Sequence, residues 1–500
     1  MLLRLALLVI ALSFSSQARA SEWLRAESEH FVIHADLEEE DIRQLAVRLE
    51  SFLILLERQL PHQLVRARKH HLFLDSHDGR ISSVTRRHLG GYANSWPEID
   101  ASFSVFSTRY GDQFRHLHVS DAVASLHWSG SFVRPSAPWL SHGLTGYFST
   151  AMLGNDGKFV LGVPDVWYPM TGKPTKRRFR DVMLVRAHPT DASYDDFKRT
   201  SRELVRGLLS DPANDAKIEK YLQTYVGGGS MEDGVEIIGD LAPIVKSARA
   251  IARGRPKLHA VPIGLDWSGP VDVRPMGEDE IALVDIRFRR LLDQQREDVA
   301  RDLARLTERF PESADVWYEY GAAEFARYEG GLYGPDRVFR GLGYAGGVIV
   351  VTARKSSDES AWRAANRALE IDPDHAQARR LKAEIMLARQ VRNGDFDDAQ
   401  GFEDVRTLLA PLLVEPGLHP LAAALNYETY IEQDIAPPQD AFDALGRAFI
   451  GNAGVEELRY AYAVALARRG EAKLARTLLE SMLNNPDYRE AAERALQQSQ

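Results

Sequence analysis

The sequence predicts an α+β domain followed by an all-α helical repeat array. Three observations carry that prediction. Residues 21–260 mix short strand-like runs with amphipathic helical stripes. Residues 261–275 gather prolines and glycines and read as a linker. Residues 276–500 have almost wholly helical spacing, and that spacing recurs. A chain of 500 residues has room for about three units at roughly 150 residues each.

Composition narrows the function. Charged residues make up 27% and the net charge is -9, which argues against a nucleic-acid binder. The absence of cysteine excludes disulfides, thiolate metal sites, a cysteine nucleophile and a lipidated N-terminal cysteine. Residues 1–20 read as a signal peptide: Arg4, the apolar run LALLVIALSF and the small-x-small site Ala18-Arg19-Ala20. A membrane anchor is the alternative, but the run is too short to span. The sequence thus predicts an exported, periplasmic protein with no membrane span after cleavage. Cleavage removes Arg4 and Arg19, so the mature charge is -9 minus 2, or -11.

In chain order, Phe31-Val32-Ile33 reads as a strand. Residues 39–60 carry one helical stripe: Ile42, Leu45, Ala46, Leu49, Phe52, Leu53, Leu56 and Leu60. Pro61 stops it. His71–Asp75 and the alternating Ser102–Ser107 are further strands, with a break at Gly90-Gly91-Tyr92. Val119–Trp128 and Trp139–Met152 read as helices around a loop holding Pro135 and Pro138, and Lys158–Val163 as a short strand. The basic run Lys173–Arg180 reads as a solvated loop, with an anionic-partner site as the alternative. Helices follow at Tyr194–Leu209, built on Phe197, Leu204, Val205 and Leu208, then at Ile218–Val226 and Leu241–Arg253, with a turn at Gly227-Gly228-Gly229.

The array shows small or apolar residues at spacings of 4 and 3, then proline 5 further on: Ala361, Ala365, Ala368, Pro373. Val299, Leu303, Leu306, Pro311 keep the spacing with larger residues, and Gly470, Ala475, Leu479, Met482 bring Pro486 one position early. Asp404, Leu408, Pro411, Pro416 match poorly. Three or four divergent tetratricopeptide-like repeats fit this pattern, with a generic helical bundle as the alternative. The Gly-rich stretch 330–351 reads as an insertion on one face.

The first domain resembles the peptidase-MA-like domains of exported bacterial proteins, gluzincin-type relatives that often carry tetratricopeptide repeats. The likeness spans roughly residues 22–260. It rests on the order of strand, long helix, strands and two helices, on the FxxxSxxLV segment from Phe197, and above all on Pro138-Trp139-Leu140-Ser141-His142-Gly143-Leu144-Thr145-Gly146-Tyr147-Phe148. The resemblance implies zinc held by an H-E-x-x-H helix and a glutamate on the next helix, with the motif glutamate as general base. Family spacing places H-E-x-x-H on Asp121, Ala122, Val123, Ala124 and Ser125, the third ligand on His142 and a second glutamate on Gly146. No H-E-x-x-H exists in the chain, and no glutamate lies between Glu98 and Glu203.

Two functions remain open on sequence. The first is a non-catalytic binding or scaffold protein, using no cofactor and docking a protein or peptide through the repeats. The second is a metal-dependent hydrolase with a site rebuilt from His118, Asp121 and His142, for which zinc would be the cofactor. A further possibility leaves all function to the repeats. No Walker loop and no G-x-S-x-G elbow is present.

Overall fold

The computed structural model describes residues 23–58, 69–75, 92–96, 101–107, 112–130, 132, 134, 137–154, 156–163, 173–186, 193–253, 258–291, 296–328, 356–414, 417–483 and 488–498. The signal-peptide reading at 1–20 and the insertion at 330–351 lie outside them, as do Gly90, Gly91 and Pro135.

A mixed six-stranded sheet organises the first part. Its strands are β1 (Leu24–Glu27), β2 (Phe31–Ala35), β3 (His70–Asp75), β4 (Tyr92–Trp96), β5 (Ala101–Ser107) and β9 (Asp272–Pro275), in the order β4-β5-β3-β2-β1-β9. The central trio β5-β3-β2 is parallel and the edge pairings are antiparallel. Alternation along the strands sends Phe31, Ile33, Ala35, Leu72 and Leu74 into the core. There they meet helix α1 (Glu39–Glu57), whose stripe of Ile42, Leu45, Ala46, Leu49, Phe52, Leu53 and Leu56 is buried as its spacing predicts.

A helical layer follows: α2 (Asp112–Gly130), α3 (Pro138–Phe148), α4 (Lys176–Met183), α5 (Tyr194–Leu209), α6 (Asp215–Val226), α7 (Met231–Ile238) and α8 (Ala242–Ala252). Between α3 and α4, β6 (Met152–Leu153) and β7 (Lys158–Leu161) join β8 (His259–Gly264) in a three-stranded sheet, order β6-β7-β8.

Several sequence expectations change here. The residues read as a linker, 261–275, carry the end of β8 and all of β9, so they complete both sheets. Strand β9 is only four residues long and pairs with β1 nearly the whole domain away, Leu24 opposite Pro275; its Pro and Gly neighbours masked it. The basic run is not a loop from 176 onward but helix α4, anchored by buried Phe179, Val182 and Met183 and capped by Thr175, whose hydroxyl accepts from the Arg178 amide at 3.1 Å. Tyr92, read as part of a break, begins β4. The second helix of the pair ends at Phe148, and Met152 starts a strand.

From Glu278 the described residues are helical: α9 (Glu278–Leu291), α10 (Arg296–Arg309), α11 (Ala314–Tyr328), α12 (Ser356–Ile371), α13 (Ala376–Asn393), α14 (Ala399–Leu409), α15 (Pro420–Glu432), α16 (Gln439–Ile450), α17 (Glu456–Arg468), α18 (Ala472–Glu480) and α19 (Arg489–Gln498). The chain is thus mostly helical, with a small mixed sheet at its start. Ala361, Ala365 and Ala368 are fully buried between Tyr318, Ala322 and Phe325 on one side and Ala378, Leu381 and Ile385 on the other. Their small side chains let three helices approach closely. Helix α12 ends at Ile371, two residues before Pro373, which cannot continue it. Gly470 takes a left-handed φ of 82° in the turn before α18, and Ala475 is buried within that helix.

Polar ties fix the start of the array. Glu319, fully buried, accepts from Arg287 Nε at 2.5 Å and from Arg290 Nε at 2.6 Å. The far turns of the array return to the first domain. A Cβ on Gly130, at the end of α2, would stand 3.7 Å from the Gly454 amide, and one on Gly228 would stand 3.4 Å from Thr477 Oγ1.

Candidate functional site

The stretch expected to hold catalytic residues forms the crossing of α2, α3 and α5. Pro138 opens α3, where a missing amide donor is tolerated. The helix is almost entirely buried, and Trp139 Nε1 donates to Tyr221 Oη at 3.1 Å. Gly143 and Gly146, one turn apart, face α5. A Cβ on Gly143 would meet the Ser201 carbonyl oxygen at 2.7 Å as well as Val205; one on Gly146 would meet Arg202 Cδ at 2.8 Å. The two glycines let α3 and α5 pack backbone to side chain.

The structure brings together part of the sequence-predicted site. His142, half-buried, sets its ring edge-on to Tyr194 and Phe197, each at 5.6 Å between centroids. Asp121, also half-buried, acts on the same Tyr194: burial raises the phenol above its usual range and the carboxylates of Asp121 and Asp195 raise it further. His142 thus packs against, and Asp121 acts electrostatically on, one tyrosine that sequence reasoning did not single out, because it opens a helix 52 residues after His142. The side chain of His118, one turn before Asp121 on α2, lies outside the described residues.

The donor set does not fit the zinc that the resemblance implies. Ala122 is buried and offers no base, Val123 and Ala124 are buried apolar residues, and Ser125 stands where a histidine ligand is required. Beside Gly146, where an acidic side chain would project, lies the buried side chain of Arg202, a cation that would oppose a metal ion. No hydrolytic step can be derived through these residues.

Two further clusters escaped the sequence reading. His30 donates its amide to Glu50 Oε1 at 2.7 Å, and its Nδ1 lies 2.7 Å from Glu50 Oε2. Glu29 lies close enough for the three side chains to offer ligand atoms within 4.8 Å of one another. Both oxygens of buried Glu50 are engaged by His30, so the geometry is that of a clamp tying the start of β2 to α1. On the face of the sheet away from α1, His34 Nε2 lies 3.2 Å from His71 Nδ1, and the His34 ring stacks on Phe73 at 4.3 Å. Burial drives the pKa of both imidazoles down, that of His71 to about 3, and Arg25 and Arg287 oppose a further positive charge. Strand register brings these residues together, Ile33 opposite Leu72 and His34 opposite Phe73, and no local spacing reveals it.

Comparison of the chain with family models, with curated proteins and with solved structures returns no match.

Two outcomes follow from this geometry. Gly143→Ala forces α3 from α5 against a backbone oxygen, and thermal or urea unfolding should show a loss of about 1–3 kcal/mol; unchanged stability would mean that the helices do not approach as described. The buried neutral histidines bind fewer protons than the unfolded chain at pH values below the ordinary histidine range and above their own depressed values, so stability falls as pH drops through that interval. His71→Gln should shrink the loss between about pH 7 and pH 5 by about 1–2 kcal/mol, and an unchanged pH slope in urea midpoints would contradict the assignment.

Proposed function

We propose that this is an exported, non-catalytic binding or scaffold protein. Its first domain keeps the frame of a peptidase-MA-like domain without the zinc chemistry, and its tetratricopeptide-like helical array docks a protein or peptide partner. The single observation that carries the reading is the crossing of α2, α3 and α5: Ala122 and Ser125 stand where the resembled family has its base and second histidine, and Arg202 fills the space beside Gly146, where that family has a further glutamate.

Two features support the docking role of the array. Most of the large apolar side chains left exposed among the described residues belong to it: Phe396, Val414, Ile435, Ile450 and Leu474. Stacked helix pairs also present an extended surface suited to a peptide or a helix. Among the described residues no helix is long and apolar enough to cross a membrane. The proximity of Asp121 and His142 at Tyr194 favours a second reading, a metal-dependent hydrolase completed by His118.

A peptide library incubated with the full chain separates the two. Mass spectrometry of retained peptides should find them intact, and Phe396→Ser with Ile435→Ser should weaken retention. Chelator-sensitive cleavage products would favour the hydrolase, and retention of no peptide would remove the docking role.

A further inference from the structure

We propose that the cleft between the start of α4 and one face of α8 is a binding site for a phosphate-bearing anion of the pyrophosphate or phosphate-ester class. The cleft is a cavity of about 510 Å³ lined by Thr175 and Lys176 on one wall and by Val245, Lys246, Arg249 and Arg253 on the other. That volume lies within the usual range of small-ligand pockets.

The placement follows from helical spacing. Lys246, Arg249 and Arg253 stand at i, i+3 and i+7 on α8 or its last turn, so they share one face, and all three are exposed. Lys176 faces them from the first turn of α4, which gives four cationic side chains around one cavity in a chain of net charge -9. Among the described residues no carboxylate lines it. Arg249 is held in place, since its Nε donates to the Pro174 carbonyl at 3.0 Å, tying α8 to the entry of α4. Ordinary helix-end electrostatics account for part of the stripe, because cations suit a helix C-terminus. That effect fades within the last turn, and Lys246 lies a turn further back. Like charges three and four residues apart repel, so the stripe weakens the helix unless an anion neutralises it.

One acidic group stands at the rim. Asp240 Oδ1 accepts from Lys176 Nζ at 2.7 Å and from the Ala242 amide at 3.0 Å. It holds Lys176 in competition with any ligand. The arginines supply planar, forked donors that match phosphate oxygens, and the lysines supply point charge. The basic run that began as a candidate loop is thereby given a role through a partner helix some 70 residues later.

Titration calorimetry of the full chain with sodium pyrophosphate tests the site. Wild type should bind at low salt and lose affinity as salt rises. The Lys246→Glu, Arg253→Glu double variant, altered only at exposed positions, should bind about tenfold or more weakly. Asp240→Asn, which releases Lys176, should bind more tightly. Failure of wild type to bind, or equal binding by the charge-reversed variant with its circular dichroism unchanged, overturns the proposal. Vesicles of phosphatidylcholine with and without phosphatidylglycerol identify the source of the phosphate. Co-sedimentation with the anionic vesicles that pyrophosphate displaces assigns a lipid headgroup; pyrophosphate binding without co-sedimentation assigns a soluble phosphate compound.

Discussion

The close crossing of α3 and α5 at Gly143 and Gly146 governs the first domain. Because neither glycine carries a Cβ, Val205, the Ser201 carbonyl and the Arg202 side chain come down onto α3. That approach buries nearly every residue of α3, aligns Trp139 with Tyr221, and leaves His142 at the edge, against Tyr194 and Phe197. The same crossing sets the Arg202 guanidinium beside Gly146. Any larger side chain at position 146 would have to displace Arg202.

The sheet and the array are joined by ties of a different kind. Strand β9 pairs with β1 and leads directly into α9, so the last strand of the first domain and the first helix of the array are separated by two residues. Arg287 on α9 bonds Glu319 and also contributes to the positive field at His34 and His71 on the sheet. Where Gly130 and Gly228 approach Gly454 and Thr477, the opposite end of the array touches the helical layer. The array is therefore joined to the first domain through β9 and approaches it again near Gly454 and Thr477.

What the sequence revealed follows from the range of the interactions involved. The stripe of α1, the stripe of α5 and the Ala361, Ala365, Ala368 series are local periodicities, and each is buried as its spacing requires. Strands β1 and β9 are four residues each, β9 mostly exposed; β1 lies between β2 and β9, β9 pairs with β1, and no local pattern marks them. Helix α4 sets its anchor Phe179 among Lys176, Arg177, Arg178 and Arg180, with Val182 and Met183 just beyond the run. In the candidate site, Asp121 and His142 were legible, but Tyr194 meets His142, and Arg202 meets Gly146, only through tertiary packing. The absence of H-E-x-x-H was legible at once; the position of Arg202 beside Gly146 was not.

A non-catalytic frame of the kind proposed would hold no catalytic zinc. Elemental analysis of the purified full chain by mass spectrometry is the most direct measurement. The account predicts zinc far below one equivalent per chain, unchanged by His142→Ala. About one zinc per chain, lost on His118→Ala or His142→Ala, would contradict it and would favour a rebuilt metal centre at His118, Asp121 and His142.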